Sequence, residues 1–165
     1  MNVVSATEAD WSREFKRTFQ WIPGKALLAT LRRYQRVKRR RHIFVLTSTY
    51  LAYLVVKHRF WSAVSGAEIP LNCDIGGGLM IPHPNGIVIH PGAIIGPNCL
   101  ILQQVTIGAM HGIAPKIGGH VDIGAGAKIL GEVAIGDHAV IGANAVVLAD
   151  VPGNKTAVGI PARII

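Results

Sequence analysis

Acidic residues are scarce in the first third of this 165-residue chain. Residues 1–59 hold 13 Lys and Arg against 3 Asp and Glu, whereas residues 60–165 hold 4 against 6. The formal net charge of +8 therefore belongs to an N-terminal arm, and the remainder is nearly neutral. Such asymmetry points to an anionic partner or surface for the arm. Only charge speaks for nucleic acid, so none is expected as a partner. Aromatic residues are few, 6% of the chain, which argues against a core built on large rings. Cys73 and Cys99 are the only cysteines. They form neither a disulfide framework nor a metal-binding spacing, which suits a reducing compartment and a cytoplasmic location. The opening MNVVSATEADW places acids early and lacks the basic-then-apolar order of a secretory signal. The apolar run 43–56 is 14 residues long. A bilayer span needs about 20, so this run is expected as a buried or interfacial helix.

What is abundant is small and branched: half the chain is hydrophobic and 19 residues are Gly. From Ile117 the sequence reads IGGHVD, IGAGAK, ILGEVA, IGDHAV, IGANAV, VLADVP. The first position is Ile117, Ile123, Ile129, Ile135, Ile141 and Val147, and the fifth is small: Val121, Ala127, Val133, Ala139 and Ala145. The frame extends back through Ile107, Ile101 and Ile95, and through Ile81, Ile75 and Ile69. Hexapeptide periods build parallel β-helices, in which three short strands close one triangular coil of about 18 residues. The branched residue should stack inward on its copy one coil away, the small fifth residue should fill the inner corner, and Gly should serve the turns. Cys73 and Cys99 fall on the fifth position and read as small buried residues. Each coil buries its face only against its neighbours, and room exists for roughly four to five coils.

Around this core the chain divides into a basic helical arm (1–65), the repeat domain (66–152) and a C-terminal strap (153–165). Trp11, Phe15, Phe19 and Ile22 recur at helical spacing and predict a short amphipathic helix ended by Pro23-Gly24. A second helix is expected from Lys25 to about Arg41, with Leu27, Leu28, Leu31, Tyr34 and Val37 on one side and Arg32, Arg33, Arg36 and Lys38 towards water. The arm reads as a cap on the open end of the coil stack, or as a basic surface (residues 25–59) for a membrane or an acidic partner. The frame is interrupted twice, by two extra residues within IPHPNGIVI (81–89) and by four within IGAMHGIAPKI (107–117). Such loops gather on the working face of a solenoid. Among the histidines, His42 and His58 lie in basic runs and read as solvated. His120 and His138 stand one coil apart as a surface ladder or a metal pair. His83, His90 and His111 are the set a zinc hydratase would need.

The stretches GLMIPHPNGIVI, LILQQVTIG and PKIGGHVDIGAGAKILGEVAIGDHAVIGANAVVL, with the ending TAVGIPARI, resemble the serine acetyltransferase family. That family belongs to the left-handed β-helix, hexapeptide acyltransferases, and the resemblance covers residues 66–165. It implies a mainly β fold, a left-handed parallel β-helix of hexapeptide repeats with a short helical N-terminal arm. It also implies acetyl-CoA as co-substrate, no metal, and homotrimers with active sites between subunits, which in some members pair into hexamers. His83 matches the family's general base, and Glu68 stands where the family has the carboxylate that orients it, usually Asp. An imidazole near neutral pH suits removal of a hydroxyl proton, and a carboxylate on its other nitrogen fixes the tautomer. Gly108, Ala125 and Ala143 match the positions whose backbone lies along the pantetheine arm; Lys116, Lys155 and Arg163 are the nearby cations for CoA phosphates. The resemblance implies direct transfer to a small-molecule acceptor, serine, to give O-acetylserine for cysteine biosynthesis, with backbone near Gly108 or the first loop as oxyanion donor.

Besides Glu68, three positions depart from the family pattern. Pro82 replaces the Asp before the catalytic His, and Ile113 and Ala114 replace the Arg-His before Pro-Lys-Ile. In the family these residues hold the amino acid's charged groups. A sugar or polysaccharide hydroxyl is therefore the alternative acceptor.

Overall fold

The structure, a computed structural model, describes residues 4–17, 20–39 and 45–165. From Glu68 onward each hexapeptide contributes one short strand whose outer residue faces solvent and whose branched residue is buried. Three parallel sheets result. Sheet I contains β1 (Asp74–Ile75), β3 (Ile94–Ile95), β6 (Lys116–Ile117) and β9 (Ala134–Ile135). Sheet II contains β4 (Leu100–Ile101), β7 (Asp122–Ile123), β10 (Val140–Ile141) and β12 (Thr156–Gly159), closed by β13 (Ala162–Ile164). Sheet III contains β2 (Val88–Ile89), β5 (Thr106–Gly108), β8 (Lys128–Leu130) and β11 (Val146–Val147). Single bridges at Glu68, Met80 and Val151 complete the first and last of about five coils. The fold is a mainly β parallel β-helix, as the period implies.

The registers stack like on like. Ile75 pairs with Ile95, Ile95 with Ile117 and Ile117 with Ile135; Ile89, Ile107, Ile129 and Val147 form the equivalent column of sheet III. All are buried, as are the small residues Cys73, Ala93, Cys99, Val105, Val121, Ala127, Val133, Ala139 and Ala145. Each fully buried Ile contributes on the order of 1.5–3 kcal/mol, so the column is the main source of cohesion.

The glycines serve the turns, as the repeat suggests, at Gly78, Gly86, Gly126 and Gly131, which have positive φ, and elsewhere they serve a second purpose. At the corners, other residues share the left-handed backbone with these glycines: Asn98, His120, His138 and Asn154 between sheets I and II, and Gln104 and Asn144 between sheets II and III. Asn and His tolerate this region better than most. The glycines that follow the branched residues have ordinary φ values and are there for close approach. A Cβ on Gly96 would lie 2.5 Å from Gly118 C and Gly119 N, and one on Gly124 2.6 Å from Ala143 N. Neighbouring coils touch backbone to backbone at these points.

The arm caps the first coil. Helix α1 (Pro23–Arg39) buries Gly24, Ala26, Leu27, Leu28, Thr30 and Leu31, and its leucines join the solenoid core. Pro23 opens this helix rather than ending one, as its fixed φ favours at a first helical position. Of the predicted Lys25–Arg41 span, Arg40 and Arg41 lie outside the described residues. The predicted helix over Trp11–Ile22 is instead a 3-10 turn, Trp11–Glu14, capped by the Asp10 side chain on Ser12 N; Phe19 lies outside the described residues. Tertiary bonds override its helical spacing. Asn98 donates to Ser5 O and Glu8 O and accepts from Asp10 N, so residues 5–10 are strapped to the corner of coil two. Arg32 is not in water either. It pairs with Glu14 at 2.8 Å and donates to Ile75 O and Gly76 O, satisfying carbonyls that the first coil would otherwise leave open. Gln35 does the same for Leu71 O and Cys73 O.

Helix α2 (Val45–Ser65) carries the described part of the apolar run and packs on α1. Of its side chains Leu54, His58 and Ser65 are buried, while Tyr50, Tyr53, Val56, Phe60 and Val64 are exposed. No helix among the described residues is long and apolar enough to cross a membrane. At the other end, Thr156 and Ala157 still pair in parallel with β10, and β13 then turns back antiparallel on β12. The C-terminal segment is thus partly a fifth coil and partly a reversing strand.

Candidate functional site

The two interruptions emerge at different corners and flank one sheet. The first, Pro82–Ile87, joins sheet II to sheet III; the second, Ala109–Pro115, joins sheet III to sheet I. The frame alone could not place them, because corner identity depends on counting strands from a fixed start.

His83 is exposed between Pro82 and Pro84 in the first loop. The loop's second half is fixed. Gly86 N donates to Gly66 O at 2.7 Å, Gln104 N donates to Asn85 O at 2.9 Å, and Ile87 N donates to Pro84 O at 3.1 Å. Gly66 needs its positive φ, and a Cβ there would lie 2.8 Å from Asn85 Nδ2. Glu68 pairs with Val88, immediately after this loop, through Glu68 N to Ile87 O (2.7 Å) and Ile89 N to Glu68 O (2.9 Å). The candidate base and its candidate partner thus belong to one loop-and-strand unit. Among the described residues no hydrogen bond joins the two side chains. Glu68 also lines a cavity of about 550 Å³ between α2 and the first coil, with His58, Arg59, Ser62, Gly66 and Val88.

The second loop is a small hairpin. Met110 and Ile113 exchange both backbone hydrogen bonds at 3.0 Å, and His111 and Gly112 between them have φ of 51° and 82°, the pattern of a type I′ turn. The His-Gly pair flanked by apolar residues was the sequence signal for it. Ile113 is exposed, whereas Ala114 packs against the core edge.

The residues matched to the CoA arm separate into two groups. Ala125 and Ala143 stand one coil apart on the corner between sheets II and III, and Asn144 N donates to Ala125 O at 2.8 Å. Gly108 ends β5 on the far edge of sheet III, where its carbonyl accepts from Gly131 N at 3.0 Å. The cations are also dispersed. Lys116 opens β6 on sheet I, while Lys155 and Arg163 lie exposed on the last coil. Lys128, which the sequence reading passed over, is nearer the alanine corner and donates to Gln104 O at 2.6 Å.

Burial pushes the Cys73 and Cys99 thiols up to about 11, so neither is poised as a nucleophile. His58, expected in water, is buried; its Nε2 has no partner, and desolvation lowers its pKa against an opposing bond to the Ile69 backbone. The reason is helical phase: Leu54, His58 and Ser65 share the inward face of α2, and this stripe was the available signal. His120 and His138 do form the ladder, with Nδ1 atoms 2.9 Å apart. His90 Nδ1 accepts from Gly92 N at 3.1 Å. Among the described residues no three His, Cys, Asp or Glu side chains converge as metal ligands.

Residues 114–149 match the family model for the bacterial transferase hexapeptide (six repeats). A serine acetyltransferase of Synechococcus elongatus is 44% identical over 106 residues, spanning 62% of this chain and 43% of the relative. A soybean serine acetyltransferase complexed with serine superposes with a TM-score of 0.73 at 35% identity, over 87% of this chain and 57% of that one. A serine acetyltransferase in complex with CoA gives 0.73 at 34% identity, over 88% and 58%. This chain is therefore similar to serine acetyltransferases in both sequence and fold, and spans less than half the length of the curated relatives it matches.

Proposed function

We propose that this chain is an acetyl-CoA-dependent O-acetyltransferase whose acceptor is L-serine, with His83 as general base and Glu68 as the residue that orients it. The observation that carries the reading is the loop-and-strand unit in which His83 is exposed between two prolines and Glu68 pairs immediately beyond the loop. His83 takes the acceptor's hydroxyl proton as that oxygen attacks the thioester carbonyl. The tetrahedral intermediate collapses by breaking the C–S bond, and the imidazolium returns its proton to the departing CoA sulfur. Glu68 stabilises the imidazolium, at the reach of one methylene more than an Asp. Transfer is direct, in keeping with thiols held near 11.

The reading includes a homotrimer with active sites between subunits, acting in the cytoplasm. The separation of Gly108 from the Ala125–Ala143 corner across sheet III supports it. A pantetheine arm that touches all three is more readily shared by the corner of one protomer and the hairpin edge of the next. The likeness to proteins solved with CoA and with serine supports the two substrates.

The test is release of CoA from acetyl-CoA, with L-serine set against a panel of sugars. We expect turnover on serine that falls at least about 100-fold in His83→Ala, the scale of general base catalysis. Activity on a sugar alone would transfer the reading to that acceptor and mark Pro82, Ile113 and Ala114 as its pocket. Unchanged turnover in His83→Ala would overturn the assignment of the base.

A further inference from the structure

From Phe15 to Ala67 the chain holds 12 Lys and Arg and no Asp or Glu. Glu14 pairs with Arg32, and among the described residues no other ion pair touches this segment. α1, α2 and the chain at Lys16 and Arg17 line a groove of about 560 Å³ whose lining also includes Arg32, Arg33, Arg36 and Lys57, and no acid. Trp61 lies in the same lining. Its ring lies tilted against Trp21 at 5.5 Å and edge-to-face with Phe60 at 5.1 Å, which are 71% and 54% exposed. Lys57 sits over Tyr53 at 5.8 Å. On α2, Tyr53, Val56, Phe60 and Val64 follow at spacings of three, four and four, so one face presents apolar and aromatic side chains to solvent beside the basic groove.

We infer that this face of the arm docks on an anionic lipid bilayer. The groove receives phosphate headgroups, and Trp21, Tyr53 and Phe60 enter the interfacial layer. The two halves of the observation select this occupant. An acid-free basic surface attracts anionic headgroups, at about 1 kcal/mol per cation near the surface. Exposed Trp, Tyr and Phe next to it suit a boundary that is apolar on one side and wet on the other. A second copy of this chain would bring an equally acid-free face against this one, and charge would oppose the contact. A nucleic acid would use the groove but give no role to Val56, Phe60 and Val64. The inference is independent of the acetyltransferase reading, since the lipid test needs no turnover.

The experiment is sedimentation of the 165-residue protein with large vesicles of phosphatidylcholine alone or with added phosphatidylglycerol, across a salt series. Binding is expected to the anionic vesicles only and to weaken with salt. Arg33 and Arg36 are exposed, so Arg33→Gln with Arg36→Gln leaves folding intact. This pair should lower the partition coefficient about 25-fold, from about fivefold per cation. Phe60→Ser should lower it further without changing the salt slope. Three outcomes would each overturn the inference: equal binding to neutral vesicles, no binding to anionic ones, or retention by single-stranded RNA without vesicle binding.

Discussion

Gly96→Ala and Gly112→Ala should behave oppositely to what backbone torsion alone would suggest. Gly112 has a φ of 82° and nothing within 4 Å of the position a Cβ would take. Gly96 has an ordinary φ, but its Cβ would lie 2.5 Å from Gly118 C and Gly119 N and 2.6 Å from Gly118 O, about 0.9 Å short of ordinary contact at 3.4 Å. Those backbone atoms have little freedom to retreat. Gly118 N donates to Ile135 O at 2.8 Å and Gly119 N donates to Asp137 Oδ1 at 2.7 Å. On the outside, the Ala6 carbonyl occupies the place of a Gly119 side chain. The third coil is thus clamped between the fourth coil and the N-terminal strap.

Overpacking of this kind costs about 3 kcal/mol at the upper end of its usual range. For a chain of this size that lowers Tm by roughly 6–12 °C. The strained torsion at Gly112 costs roughly 1 kcal/mol, or about 2–4 °C. Far-UV circular dichroism melts of the two variants at matched concentration give the comparison directly. A Gly96→Ala variant that melts no lower than Gly112→Ala would refute the account of the repeat glycines as points of backbone contact between coils.

Arg32→Met removes the partner of Glu14 and leaves the Ile75 and Gly76 carbonyls open; a loss of roughly 3 kcal/mol or more is expected in denaturant titration, and a loss under about 1 kcal/mol would count against the capping role. With thiols near 11, about one in a thousand is ionised at pH 8. Ellman's reagent should therefore find essentially no rapid thiol in native protein and both Cys73 and Cys99 after denaturation; rapid native labelling would contradict their burial. Burial lowers the pKa of His58 below its ordinary 6.5, so the unfolded chain binds this proton first as pH falls. Folding stability should decline as pH falls below about 6.5 and level off once the folded form titrates. His58→Leu should flatten that slope, and an unchanged slope would assign it to other groups.

Most of the solenoid was legible because its signal is periodic and redundant. Ile117, Ile123, Ile129, Ile135 and Ile141 each predicted an inward position, and an error at one would be corrected by the next. The arm offers no such redundancy. Trp11, Phe15 and Ile22 have helical spacing, but Asn98, 88 residues from Asp10, decides the strap's conformation by taking three backbone partners. Arg32 looked like a solvated cation because the carbonyls it satisfies belong to a coil more than 40 residues away. His58 departs from its expected place in water for a smaller reason: Lys57 and Arg59 on either side suggest a solvated run, whereas helical phase puts it with Leu54 on the buried face.

The sequence offered candidates for the site but no way to see how they assemble, and the physical reason lies in the fold. A regular coil makes its corners alike, so a single distinctive site needs the places where the period fails. It fails twice here, on the two edges of sheet III. One failure carries His83 beside the strand of Glu68; the other carries a type I′ hairpin beside Gly108. Sheet III separates these edges within one protomer. If both edges serve one reaction, they meet by packing the corner of one chain against the hairpin of another. On the proposed reading, the two irregularities on opposite edges of one face give this solenoid a reason to be oligomeric that is distinct from stability. Substitutions at Met110 or Ile113, both exposed in the single chain, should then alter turnover and subunit assembly together. A variant that loses assembly and keeps full turnover would separate the two and place the whole site within one chain.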